Sequence, residues 1–149
     1  CDADGANRKQ LTKPGADPSA CYFPSWSPDG KRIAYTRLYP GGDKCELHVM
    51  TADGATDDVV LEGAVGAAWG PDGRIACVRR EAGKKQALCA CDADGENVTE
   101  LIADIGKVDL PAPAWSPDGA VVACPVETPY GWQIALAPAE VPPTRMPSL

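Results

Sequence analysis

The sequence predicts an all-β chain made of repeated antiparallel sheets, and three observations predict it. A pentapeptide, Trp-Ser/Gly-Pro-Asp-Gly, occurs three times, at 26–30, 69–73 and 115–119, with spacings of 43 and 46 residues. A second motif, Asp/Thr-Ala-Asp-Gly, keeps step with it at 2–5, 51–54 and 92–95. Fifteen glycines and fifteen prolines are spread over the 149 residues, so turns recur every few positions and long helices are excluded. A unit of about 45 residues is the length of a four-stranded propeller blade, so the expectation is about three β-propeller blades of four-stranded antiparallel sheets. The repeats divide the chain at approximately 6–53, 54–94 and 95–140. Residues 1–5 read as the end of a preceding repeat and 141–149 as a Pro-rich tail.

Each element follows from local chemistry. One strand runs into each tryptophan, Trp26, Trp69 and Trp115. Pro then fixes φ near −65°, Asp29, Asp72 and Asp118 can bond back to the backbone, and Gly30, Gly73 and Gly119 accept positive φ, so the chain reverses tightly. A short β-branched or small apolar run follows, at 33–36, 75–78 and 122–125. The next strand lies at 46–50, 87–91 and 132–137, and an Asp-Gly hairpin closes the first two of these, whereas the third has decayed to Pro138-Ala139-Glu140. The last strand of the unit carries Leu11, Val60 and Leu101, each six residues beyond its glycine. Its charges (Arg8 and Lys9, Asp57 and Asp58, Glu100) suit an outer edge that refuses further pairing.

Composition narrows the function classes. A formal charge of −7 repels a phosphate backbone, so nucleic acid is not the expected partner. No apolar run is long enough to span a membrane, and the N-terminus lacks the order of a signal peptide, so the chain is either cytosolic or has lost a leader. Seven cysteines are an odd number at spacings that match no zinc pattern, so no complete disulfide framework is implied.

Three groups of residues invite chemistry. Asp92 and Asp94, with Glu96, Asn97 and Glu100 nearby, look like a calcium loop but fail the EF-hand spacing, and the hairpin turn explains them. Cys89 and Cys91 face one side of a strand, His48 aligns with Cys89, and Cys1 and Met50 align with Cys91. This column suits either a soft metal or plain packing in a tight sheet. Cys77 and Cys124 take the Tyr35 position and are expected in the core, and the repeat register accounts for Cys1 better than a lipid anchor does. Asp29, Asp72 and Asp118 lie on one rim as turn formers or as a cation-binding edge. There is no Gly-x-Ser-x-Gly, and His48 is the sole histidine, so a hydrolase triad would have to use a mid-strand side chain.

The two motifs together resemble the WD-like propeller repeat of TolB, of the tricorn protease core and of prolyl-oligopeptidase propellers. Those repeats share the order Trp-Ser-Pro-Asp-Gly, Ile-Ala-Tyr-like strand, hydrophobic strand, Asp-Ala-Asp-Gly and a strand ending in Leu-Thr, which Leu11-Thr12 matches. The resemblance implies a non-enzymatic scaffold for protein–protein interaction. Alternatives are a propeller gating substrate access to a peptidase or hydrolase domain, and a metal-binding propeller using the Cys/His column. It also suggests an extracytoplasmic, periplasmic place and no cofactor beyond a calcium or soft-metal ion. Three blades cannot surround a channel. The partner is therefore a protein, either further blades of a larger propeller or a second copy completing a two-fold ring of six, with the strand after Asp4-Gly5 as a clasp.

Overall fold

The computed structural model describes residues 6–12, 18–108 and 112–140. The fragment at 1–5 and the tail at 141–149 lie outside the described residues. Eleven strands and no helix make up the rest: β1 (Ala20–Trp26), β2 (Arg32–Leu38), β3 (Cys45–Thr51), β4 (Asp57–Glu62), β5 (Ala64–Trp69), β6 (Ile75–Arg79), β7 (Ala87–Cys91), β8 (Thr99–Ile102), β9 (Ala114–Trp115), β10 (Val121–Thr128) and β11 (Gly131–Pro138). They form three antiparallel meanders: β1-β2-β3-β4 (blade 1), β5-β6-β7-β8 (blade 2) and β9-β10-β11 (blade 3). The third has three strands among the described residues, where the repeat leads one to expect four. The sheets also fall out of phase with the sequence units. The polar strand after each Asp-Gly turn pairs backwards, β4 with β3 and β8 with β7, because a two-residue hairpin joins neighbours in one sheet. Residues 6–12 carry the pattern of such a strand but are not assigned as one.

The registers of the three blades superimpose. Trp26 stands opposite Ile33, Trp69 opposite Ile75 and Trp115 opposite Val122. Ile33 in turn faces Met50, Ile75 faces Cys91, and Val122 faces Ala137. Alternation along each strand then fixes two faces per blade. The first strands of blades 1 and 2 carry a bulge at the same place, between Tyr22 and Ser25 and between Val65 and Ala68, with Phe23 (φ 54°) and Gly66 (φ 76°) in the left-handed region.

The core lies between blades. Ala34, Leu47 and Val49 of blade 1 share one buried cluster with Trp69, Ile75, Cys77, Cys89 and Cys91 of blade 2. Ala76, Val78 and Leu88 of blade 2 share the next with Val122, Cys124 and Ala137 of blade 3. The tryptophans key these seams. The Arg32 guanidinium lies 5.0 Å from the Trp69 ring centroid, and that of Arg74 lies 5.2 Å from Trp115. Trp115 Nε1 also donates to Ala68 O at 2.9 Å. A Cβ on Gly70 would come within 2.7 Å of the Trp115 ring, which is why this copy of the pentapeptide has glycine where the other two have Ser27 and Ser116. Trp26 has the same strand position but is 58% exposed, since no described blade covers its side of blade 1.

Candidate functional site

The Pro-Asp-Gly turns are self-contained. Ser27 Oγ donates to Asp29 Oδ1 at 2.6 Å, and Ser116 Oγ pairs likewise with Asp118; the amides of Lys31, Arg74 and Ala120 donate to Asp29, Asp72 and Asp118. The hydrogen bonds hold the carboxyls of Asp29 and Asp118 below the ordinary range. At the hairpins, Asp92 accepts from Asn97 Nδ2 at 2.6 Å and Asp94 from the Glu96 amide at 3.1 Å. These five carboxylates act on their own turns.

His48 and the cysteines are separated by the stacking of sheets. His48 and Cys89 occupy equivalent positions on equivalent faces, but of different blades, and Cys89 and Cys91 are buried in the seam that blade 1 covers. Cys77, Cys89 and Cys91 lie on one face of blade 2. Among the described residues, however, no three His, Cys, Asp or Glu side chains are gathered so as to hold a metal ion. Burial pushes the Cys89 thiol up to about 11, with the Glu100 carboxylate adding to the effect, and burial alone pushes Cys124 up to about 11. A hydrogen bond with Cys91, then burial, raises Cys77 as well. Cys91 shares that bond with Cys77 and is itself enclosed, and thiols shut away from solvent are shielded from reagents. Iodoacetamide is therefore expected to label exposed Cys21 in the folded protein and Cys45, Cys77, Cys89, Cys91 and Cys124 only on unfolding. Peptide mass mapping reads this, and early labelling of Cys89 or Cys91 would contradict it.

Sequence reasoning missed a polar cluster on blade 1. Glu46 and His48 are two apart on β3 and share a face; pairing brings Tyr35 and Arg37 beside them from β2 and Asp57 from the end of β4. His48 Nδ1 lies 3.0 Å from Asp57 Oδ1, and Nε2 lies 3.1 Å from Glu46 Oε2. Tyr35 stacks on the His48 ring at 5.1 Å and donates to Asp57 at 2.8 Å. Tyr39 donates to Glu46 at 2.7 Å, and Lys44 pairs with it at 3.0 Å. Burial alone would raise the Glu46 carboxyl, but the bonds from Tyr39, Lys44 and His48 outweigh it and bring it down to about 2. Both nitrogens of the sole histidine thus face carboxylates, which leaves neither free to take a proton from a nucleophile. Same-face alternation of Glu46 and His48 was the legible signal; the Asp57 contact depends on register.

One apolar sheet face is uncovered, and a shallow apolar groove lies at the other end over side chains that are themselves buried. On β11 the positions of Trp132, Ile134 and Leu136 match Cys45, Leu47 and Val49 of blade 1, since Ala137 matches Met50. Leu47 is fully buried beneath blade 2, whereas Trp132, Ile134 and Leu136 are 57%, 70% and 69% exposed. At the other end, Leu11, Tyr22, Pro24, Ile33, Tyr35 and Met50 line a groove of about 330 Å³ on blade 1.

No family model matches the chain. It is 34% identical over 103 residues to the Tol-Pal system protein TolB of Gluconobacter oxydans, a match covering 63% of this chain and 22% of that protein. The crystal structure of TolB from Acinetobacter baumannii superimposes with a TM-score of 0.71 at 20% identity, covering 92% of this chain and 35% of that one. The fold is a TolB-like β-propeller. The same fold relates the chain to an oligogalacturonate lyase in complex with manganese, with a TM-score of 0.65 at 14% identity over 91% of this chain and 39% of that one. This TolB-like chain thus spans about a fifth of the curated relative it matches and about a third of the Acinetobacter structure. Its solved neighbours include both TolB and enzymes, and no described helix is long and apolar enough to cross a membrane.

Proposed function

We propose that the chain is a non-enzymatic, protein-binding segment of a TolB-like propeller, acting outside the cytoplasm as the resemblance to TolB implies. The observation that carries this reading is the open face of blade 3. Its exposed tryptophan, isoleucine and leucine stand where the other blades bury their side chains, and a contiguous apolar face of this kind marks a protein interface. The partner is a protein surface able to lie flat on a sheet, either further blades or a second copy. The charged cluster of blade 1 supports a structural role, because its carboxylates bond to its own histidine, tyrosines and lysine.

A photo-reactive p-benzoylphenylalanine placed at position 132, with a control at exposed Lys84 in the β6–β7 loop, tests the reading in the cells that make the protein. Covalent protein adducts are expected from 132 and not from 84. No protein adduct from 132 would overturn it.

A further inference from the structure

We infer that blade 2 carries a disulfide site: Cys77 of β6 and Cys91 of β7 close into one bond across the sheet, formed by exchange with a disulfide oxidant before the seam with blade 1 shuts. The inference goes beyond the protein-binding reading and does not depend on what covers blade 3.

The first support is where the fold brings the two positions. Cys77 and Cys91 sit on neighbouring strands and on one face, with Cys77 directly opposite Cys89 and Ile75 directly opposite Cys91. The same two positions hold Tyr35 and Met50 in blade 1, and Cys124 and Ala137 in blade 3. In each blade the pair falls within one buried cluster. The two side chains therefore converge wherever the repeat occurs, and of the three blades only blade 2 fills both positions with cysteine.

The second support is the direction of the sulfurs. Cys91 Sγ leans across the sheet, 3.7 Å from Ile75 O on β6, and its thiol is hydrogen-bonded with that of Cys77. Cys89 Sγ instead follows its own strand, 3.8 Å from Ala87 O. Of the two sulfurs on β7, the one bonded to Cys77 is thus that of Cys91. The same bond draws the Cys91 thiol below its ordinary range, against the effect of burial, and so favours the thiolate that performs exchange. Diagonal neighbours lie about 7–8 Å apart at Cα, just beyond the usual reach of a disulfide, so closure needs β6 and β7 to adjust, which they are free to do before blade 1 packs on them.

In the exchange, Cys91 gives its proton to solvent and the thiolate attacks one sulfur of the oxidant, whose S–S bond breaks as one thiolate leaves and is protonated. Cys77 then loses its proton and attacks Cys91 Sγ, and the second half of the oxidant departs as a thiol. Two protein thiols are oxidised to one disulfide, and one disulfide is reduced to two thiols. Cys77 and Cys91 are 0% and 1% exposed in the folded chain, so the oxidant reaches them only while blade 1 stands off blade 2, and the finished bond is then shut away from reductants. An oxidising compartment, such as the extracytoplasmic one proposed above, supplies the oxidant.

The full chain is unfolded in guanidinium chloride, refolded in a mixture of reduced and oxidised glutathione, unfolded again, alkylated with N-ethylmaleimide, and digested for tandem mass spectrometry. A 77–91 link is expected, with both cysteines unlabelled, whereas the chain refolded in dithiothreitol labels at both. The link should survive mild reductant while the chain is folded and yield once it is unfolded. It is expected to remain in Cys89→Ala and to be lost in Cys91→Ala, each checked for folding by circular dichroism. The iodoacetamide pattern above is that of the reduced chain; in the oxidised chain Cys77 and Cys91 stay unlabelled even on unfolding. Full labelling of both after oxidative refolding, a 77–89 or 89–91 link in place of 77–91, or loss of the link in folded Cys89→Ala would each overturn the inference. The assignment is read first on the unmodified chain, so it is decided even where a variant does not fold.

Discussion

Gly95→Ala is expected to lower folding stability by about 3 kcal/mol or more, the largest loss among the glycine-to-alanine changes in this chain. Two costs combine. Gly95 has φ +85°, which an L side chain adopts only with strain of about 1–2 kcal/mol. Its Cβ would also fall 1.8 Å from Val60 O, and the obstacle is backbone of another blade, which cannot swing aside as a side chain does. Gly73→Ala is the control: its φ is +89° but nothing lies within 4 Å of the added carbon, so only the conformational cost of about 1–2 kcal/mol is expected. Urea unfolding of the two variants and the parent measures the difference. Equal losses at 95 and 73 would show that β4 yields and that the turn of blade 2 does not bear on blade 1.

Acidification is expected to remove up to about 3 kcal/mol of stability through Glu46 alone. The folded-state carboxyl is held at about 2, against 4.5 for the ordinary side chain. A carboxyl depressed by folding contributes stability that is fully present above the unfolded value and disappears as the pH falls through the folded one. The loss should therefore develop between about pH 5 and pH 2. Glu46→Gln keeps the shape but cannot ionise, so its stability should change less over that window, and it should be weaker than the parent at pH 7, where the carboxylate bonds to Tyr39, Lys44 and His48 are lost. Asp29, Asp53 and Asp118 also titrate low but do so in both proteins, so the difference between the two pH profiles isolates Glu46. Parallel profiles would mean that the cluster does not hold the charge.

What the sequence made legible was local. Each Pro-Asp-Gly turn is stabilised by bonds spanning two to five residues, so its chemistry repeats wherever the motif does, and the strand positions follow from the turns. What remained hidden depends on neighbouring strands and blades. Asp57 reads as an outer-edge charge, yet register brings it to His48 and Tyr35. Gly70 reads as a drifted copy of a serine, and only the arrival of Trp115 from the next blade explains it. The left-handed backbone at Phe23 has no signature, since a phenylalanine in a strand gives no hint of a bulge. Cys77 and Cys124 were legible as core residues from the Tyr35 equivalence, whereas bringing Cys77 to the face of Cys89 and Cys91 needed the pairing of β6 with β7.

The bare backbone at Gly70 has a consequence for how such a chain diversifies. Repeats that arise by duplication begin interchangeable, and any copy can stand beside any other. Here that freedom is gone. A duplicate of blade 1 in place of blade 2 would bring the Cβ of Ser27 to the spot where Gly70 now admits the indole of Trp115, a collision at 2.7 Å. The order of the blades is therefore written into single atoms at their junctions, and shuffling them would require the junction residues to change with the modules they join.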